Sequence, residues 1–391
     1  MDLNLLKERA RKTIKENNEQ FVQLALEILD NPELGYQEYK SSQALVNVLM
    51  GAGFKITKPY GGLETAFKAE VSHGKGPNIF FLAEYDALPG VGHGCGHNLI
   101  GTAAVAAAIG AAQALPEVGG TIGVIGTPAE EYNGVEEGKI KLLKAGAFRN
   151  VSAALMLHPS YTRQVMGRDL GFIACEFKFF GKPAHAAADP WNGLNALDGL
   201  LATFNNINAL RQQIQPHVRI HGVITEGGQA PNIIPNYTEA QFMVRAEDPK
   251  TLEQVYIRVC ECAQAGALSS GTRLEINKIT TVYNTRINPT LNRLIENNYE
   301  EIGMPITASP YQMDASSDFG NVSQEIPAAM FMLESHPQGI PWHSVEVAQA
   351  SGEEKALTAM INGACVMAGV ALDLLADGKL LSQVREDFKN V

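Results

Sequence analysis

Three short apolar runs, NIFFLAE (78–84), TIGVIGT (121–127) and SAALML (152–157), alternate with long stretches of good helix formers. Apart from Asn78 and Glu84 at the ends of the first, each run is carried by apolar or small residues at successive positions, not at every second one. Strands of that kind are covered on both faces, and when helices separate them they form a mainly parallel sheet with helices on both faces, an α/β architecture. The alanine-rich stretch 99–115 and the segment 136–145 supply the intervening helices. Another helix is expected across 3–31, where Leu6, Ala10, Ile14, Phe21, Leu24 and Ile28 recur at three-, four- and seven-residue steps.

From about residue 171 the texture changes. FIACEFKFFGK, VRIHGVITEGG, EAQFMVRAE and RLEINKITTV read as strands, with helical stretches at 194–211 and 249–265. This β-α-β-β-α-β order fits a compact ferredoxin-like α+β domain. The chain then returns to helix (289–302), strand (328–333) and a long helix (353–375). At 391 residues the protein is too long for one ordinary core. The pattern therefore predicts a discontinuous domain, 1–170 with 284–391, that carries an inserted domain at 171–283.

Composition excludes some partners. A formal net charge of −11 argues against a nucleic-acid surface or an anionic membrane, which both need basic patches. The first 30 residues lack the apolar core of a secretory signal, and no run of about 18 apolar residues suggests a bilayer span. Five cysteines, at 95, 175, 260, 262 and 365, are odd in number and scattered, so they do not describe a disulfide framework. A cytoplasmic location is expected.

The chemistry collects where apolar strands end. NIFFLA runs into Glu84 and Asp86, TIGVIGT into Glu130 and Glu131, ALML into His158, and AMFML is followed by His336 and by Trp342-His343. In an open parallel sheet the carboxyl ends of the strands share one edge, where ligands bind. After the first strand comes GVGHGCGHNLIG (90–101), which must be either a phosphate loop or a metal site. A dinucleotide fingerprint needs G-x-G-x-x-G with its last glycine opening a helix directly after a strand. Counting from Gly90, Cys95 stands where that glycine belongs, the strand ended six residues earlier, and no Walker lysine follows. Thiolate, imidazole and carboxylate together suit zinc or a neighbouring divalent ion. By spacing alone His93, Cys95 and His97 are all candidate ligands, and His336 and His343 compete for a late position.

The ordered motifs AEYDALPGVGHGCGHN, GTPAEE, AALMLHP, GKPAHAAADPWNGLNAL, GGQAPNIIP and WHSVEVAQASGEEKAL resemble the two-metal aminoacylase and carboxypeptidase family. That family includes acetylornithine deacetylase and succinyl-diaminopimelate desuccinylase. Its amidohydrolase branch, with p-aminobenzoyl-glutamate hydrolase large subunits and N-acyl-amino-acid hydrolases, is the nearest likeness. The resemblance implies a zinc-exopeptidase-like catalytic sheet and an inserted dimerisation (lid) domain. It implies Cys95, His97, Glu131, His158 and His343 as metal ligands, Cys95 bridging, with Glu130 as general base and Asp86 orienting a ligand. It further implies that His185 reaches a partner subunit's active site. Asn232 and Arg245 are candidate substrate contacts, although Arg245, at a strand end, could equally make a structural ion pair. Two departures from the family stand out: Asn98 replaces the branch's usual aspartate, and Glu84 stands where classical relatives have a first-metal histidine, so one or two ions are implied. Zinc suits the thiolate, with manganese or cobalt as alternatives. The expected activity is hydrolysis of N-acyl amino acids, dipeptides or p-aminobenzoyl-glutamate-like amides by a homodimer or higher homo-oligomer. A peptidase for longer chains, or a non-catalytic metal-dependent assembly protein, is the alternative.

Overall fold

The computed structural model describes residues 2–131, 134–313 and 315–390. The chain opens with α1 (Leu3–Glu16) and α2 (Asn18–Asp30), not with one helix over 3–31. Asn17 separates them: its backbone leaves helical geometry and its side-chain amide donates to the Thr13 carbonyl at 2.8 Å. An amide that satisfies backbone groups locally competes with helix continuation. There follow α3 (Tyr39–Gly51), β1 (Lys55–Thr57), β2 (Phe67–His73), β3 (Asn78–Ala83), α4 (His97–Ala112), α5 (Leu115–Val118) and β4 (Gly120–Gly126). Next are α6 (Gly138–Lys144), β5 (Ala153–Ser160) and β6 (Gln164–Arg168).

The segment from 171 forms β7 (Gly171–Phe180), α7 (Ala196–Leu210), β8 (Arg219–Glu226), β9 (Tyr237–Ala246), α8 (Pro249–Ser270) and β10 (Arg273–Val282). The chain then adds α9 (Pro289–Glu301), β11 (Tyr311–Gln312), α10 (Phe319–Glu325), β12 (Ala328–Glu334), α11 (Val345–Ala350), α12 (Glu354–Ala376) and α13 (Gly378–Asn390).

The large sheet has the order β1-β2-β4-β3-β5-β12-β6-β11. Its centre, β4-β3-β5-β12, is parallel, and β2 and β6 join it antiparallel on either side. The central strands are almost wholly buried, as their uninterrupted apolar runs require. Helix α4 explains its own alanines: nearly every residue is buried, and a Cβ on Gly101 would meet the Glu84 carbonyl at 2.7 Å. Small side chains let this helix lie close against the strand end that carries the site.

Helix α12 departs from the expectation about bilayer spans. Over 23 residues it is long and apolar enough to cross one, yet 89% of its most apolar window is buried inside the protein. Its apolarity is that of a core helix packed on α1, α4 and α9.

The second sheet is antiparallel throughout, in the order β10-β7-β9-β8. With α7 and α8 on one face it encloses its own core around Phe177, Phe179, Leu200, Phe242 and Val259. This is the ferredoxin-like topology that the element order predicts. Its two connections to the large sheet are tied together where they meet: the Asp169 carboxylate accepts from the Thr285 amide and hydroxyl, both at 2.6 Å.

Candidate active site

Each functional side chain arrives from the carboxyl edge of the parallel strands. Glu84 and Asp86 follow β3, Glu130 and Glu131 follow β4, His158 lies near the end of β5, and His343 follows β12. Cys95 precedes α4, whose cap Gly96 is left-handed (φ 72°), and His97 is the first helical residue. A Cβ at Gly96 would come within 2.7 Å of Pro159, so only glycine allows the Cys-Gly-His segment this close to β5.

Among the described residues the ligand-type atoms converge in four groups. Two share a thiol; the other two, His97 with Glu130 and Glu131, and Glu84 with Glu130 and Asp318, share Glu130. Those of Cys95, His97 and His158 lie within 4.8 Å of one another, as do those of Cys95, Glu131 and His343. His97 Nδ1 faces the carbonyl and the carboxylate of Asp86, at 3.0 and 3.1 Å, so it carries the proton and donates. Its Nε2 faces Glu84 at 3.4 Å and Glu130 and Glu131 at 3.9 Å without a hydrogen bond. Against burial, Asp86 and Glu84 raise this imidazole's affinity for a second proton, and in the neutral ring a divalent ion takes that proton's place at Nε2. The same logic applies to His158, whose Nδ1 donates to the Pro159 carbonyl at 2.9 Å and whose Nε2 lies 3.5 Å from Cys95 Sγ. One Glu131 carboxylate oxygen is also buried without a partner. Buried lone pairs that face one another call for a cation between them. The residue set thus fits divalent metal on its own geometry.

The electrostatics agree. Burial would raise the Asp86 carboxyl, but the His97 charge and hydrogen bond outweigh it and hold the group down at about 2. Burial, followed by the charges of Glu84 and Glu131, pushes Glu130 well above the usual carboxylate range. Burial lowers His158 to about 4, so it stays neutral and able to coordinate. Burial and the neighbouring Glu131 raise the Cys95 thiol in the absence of a cation.

Three buried residues that sequence reasoning overlooked hold this arrangement. Glu38 accepts from the Ala129 amide at 2.8 Å, from the Tyr36 amide at 2.9 Å and from the Thr65 hydroxyl at 2.8 Å. Ala129, directly before the Glu130-Glu131 pair, is left-handed (φ 55°), a conformation that costs a non-glycine residue about 1–3 kcal/mol. Beneath Glu130, the Lys139 ammonium lies 2.7 Å from Glu84 and 2.5 Å from Asp318, all three side chains fully buried. Glu84, the departure from the histidine expected by resemblance, is therefore the partner of a lysine. No local signal marks these residues: Lys139 sits in KIKLLK, which reads as a solvated helix, and Glu38 meets Ala129 across 91 residues.

A cavity of about 380 Å³ opens over the site, lined among others by Glu130, Tyr311, Met313, Met330 and Trp342. His336 stands outside both ligand groups, edge-on to Trp342 at 5.0 Å. His93 is buried against the Ile28 carbonyl at 3.1 Å, and Asn98 faces the carbonyls of Ala25 and Ser351, so neither joins the ligands. Within one chain His185 and Asn232 do not line the cavity. His185 is exposed, its Nδ1 accepting from the Ala187 and Ala188 amides, and Asn232 is exposed, its carbonyl accepting from Ala186. Arg245 reaches the cavity's edge, donating at 2.9 Å to the hydroxyl of Ser316, which lines it.

Comparison with known proteins places this geometry. Residues 80–372 match the model of peptidase family M20/M25/M40. The chain belongs to that family. Mouse Xaa-Arg dipeptidase is 36% identical over 99% of this chain and 93% of its own length. A p-aminobenzoyl-glutamate hydrolase chain of Escherichia coli K12 is 28% identical over 97% and 94%. Among solved structures, a putative aminohydrolase of methicillin-resistant Staphylococcus aureus superposes with a TM-score of 0.76 at 18% identity, covering 94% of this chain and 100% of its own. A dinuclear metal binding peptidase of the M20 family from Bacillus subtilis gives 0.68 at 21%, covering 92% and 99%. This M20/M25/M40 member is accordingly a metal-dependent hydrolase of amide bonds, and its fold is that of M20 structures.

Proposed function

We propose that the protein hydrolyses dipeptides and N-acyl amino acids, with Glu130 as general base and divalent ions held by Cys95, His97, His158, Glu131 and His343. The observation that carries this reading is the pair of ligand groups sharing Cys95; Glu130 belongs to neither and stands at their edge, grouped with His97 and Glu131. Thiolate with imidazoles favours zinc over manganese or cobalt. When bound, such ions act as Lewis acids and make water a nucleophile near neutral pH.

Glu130 takes a proton from the attacking water and passes it to the departing nitrogen. Transfers of this kind typically contribute roughly 10²–10⁴-fold. Asp86 fixes the His97 tautomer. Arg245 receives the substrate carboxylate, and Trp342 with Met313 and Met330 receives an apolar acyl portion. A spare base beside a complete ligand set favours an enzyme over an assembly protein, and a cavity of about 380 Å³ favours short substrates over long peptides. The two relatives named above differ in the residue their names specify, arginine in one and glutamate in the other.

His185 and Asn232 act from a second subunit in this reading. Strand β8 is a sheet edge with Val223 and Ile224 exposed, a surface suited to two-fold pairing with its twin. The free cysteines accord with the cytoplasm.

Glu130→Gln should keep its fold and metal content while turnover of an N-acyl amino acid falls by at least about 10²-fold; a wild-type rate would remove Glu130 as the base. Mixed dimers of Glu130→Gln and His185→Ala should regain activity. Verified mixed dimers without rescue would end the role of His185 in trans.

A further inference from the structure

A second recess, of about 450 Å³, lies on the small domain and is lined by Arg211, Arg219, His221 and Arg245 with no carboxylate among its walls. In a chain of net charge −11 this gathering of cations is out of character. Among the described residues, none of the three arginines pairs with an acid. Arg211 donates to the Ile220 carbonyl at 2.6 Å, and Arg219 donates to the carbonyls of Pro216 and Val218. Arg245 donates to Ser316, to the Met243 sulfur and, at 3.3 Å, to His221 Nε2. As an acceptor for a guanidinium, that imidazole is neutral and offers no positive charge of its own.

The strand register sharpens the point. Arg219 and Arg245 are direct partners across β8 and β9, so both side chains project from the same face. Like charges placed directly opposite each other destabilise a sheet. Arg245 is also part-buried, and burial alone disfavours its charge. An anion between the two guanidinium groups offsets both costs, and planar guanidinium forks match carboxylates bidentately.

The recess is not remote from the chemistry. The Arg245 guanidinium lines it and also donates to Ser316 in the wall of the catalytic cavity. We infer that Arg211 and Arg219 form an anion subsite for a second carboxylate on the residue released from the substrate, so that the preferred leaving group is an acidic, glutamate-type amino acid. The inference rests on the hydrolase reading above. There Arg245 receives the α-carboxylate, and the additional arginines receive the side-chain carboxylate.

The test compares two N-acyl amino acids that share an acyl group and end in glutamate or in isosteric glutamine, with the metal-loaded full chain. The Arg211→Gln/Arg219→Gln variant changes exposed residues only. It should raise KM for the glutamate-ending substrate by about tenfold to a hundredfold, the effect of losing charge-assisted hydrogen bonds, and leave the glutamine-ending substrate within about twofold. Equal shifts for both substrates overturn the subsite. So does phosphate inhibition that the variant abolishes without altering either KM, because the recess would then serve a free anion. Calorimetric titration of Glu130→Gln protein, with and without the two arginine substitutions, with N-acetylglutamate and N-acetylglutamine reads the same discrimination without turnover. If neither substrate is cleaved, the hydrolase reading fails, and the titration alone decides whether the arginines select a second carboxylate.

Discussion

Replacing Lys139 by methionine tests whether the site stands on a buried charge. The substitution keeps an unbranched chain of similar length and removes only the ammonium. Glu84 and Asp318, both with fully buried side chains, then face each other and Glu130 without a cation. Removing one partner of a buried ion pair costs about 3–5 kcal/mol, because the remaining charge is left unsolvated. Against a typical total of about 5–15 kcal/mol, that is a large share of the stability. Urea unfolding of metal-loaded wild type and Lys139→Met, followed by circular dichroism, measures the loss. Adding Asp318→Asn to Lys139→Met removes one orphaned charge and should recover about 1–3 kcal/mol. A loss below about 1 kcal/mol for Lys139→Met, or a second mutation that makes matters worse, would refute the reasoning.

Asp86→Asn removes the charge that fixes the His97 tautomer and should weaken metal binding by about 10–100-fold, measured by chelator competition. Asp169 responds to pH. Burial raises its carboxyl from 3.8 to about 6, so the folded chain holds this proton more tightly than the unfolded one. Its contribution to stability is therefore complete below about pH 4 and is lost as pH rises to about 6, a change of roughly 3 kcal/mol. In Asp169→Asn that part of the pH dependence should vanish from denaturation midpoints taken at constant ionic strength; an unchanged profile would count against it.

The parallel core was legible because two-sided burial leaves an unbroken apolar run, as in β3 and β4. The ligand candidates were legible because imidazole, thiolate and carboxylate stood at strand ends, where an α/β sheet gathers them. Helix α3 and strand β2 escaped notice. The last residues of β2, Ser72 and His73, are exposed, and α3 carries serines and glycine that blur its apolar stripe. The supporting charges were hidden for a different reason. Lys139 and Asp318 meet across 179 residues and Glu38 and Ala129 across 91, and each is unremarkable beside its own neighbours. Cys95 and His97 advertise their chemistry by spacing, whereas a buried counter-charge becomes visible only when the chain has closed around it.

The bonds from Asp169 to Thr285 have a mechanical corollary. The strands that enter and leave the small domain are clasped there, and the same root is braced further by Thr280 on Glu137 and by Phe172, Ala174 and Val282 packed on Ile140. The four-stranded sheet is therefore joined to the large domain across a broad root, and Arg245 is held beside the cavity by its bond to Ser316.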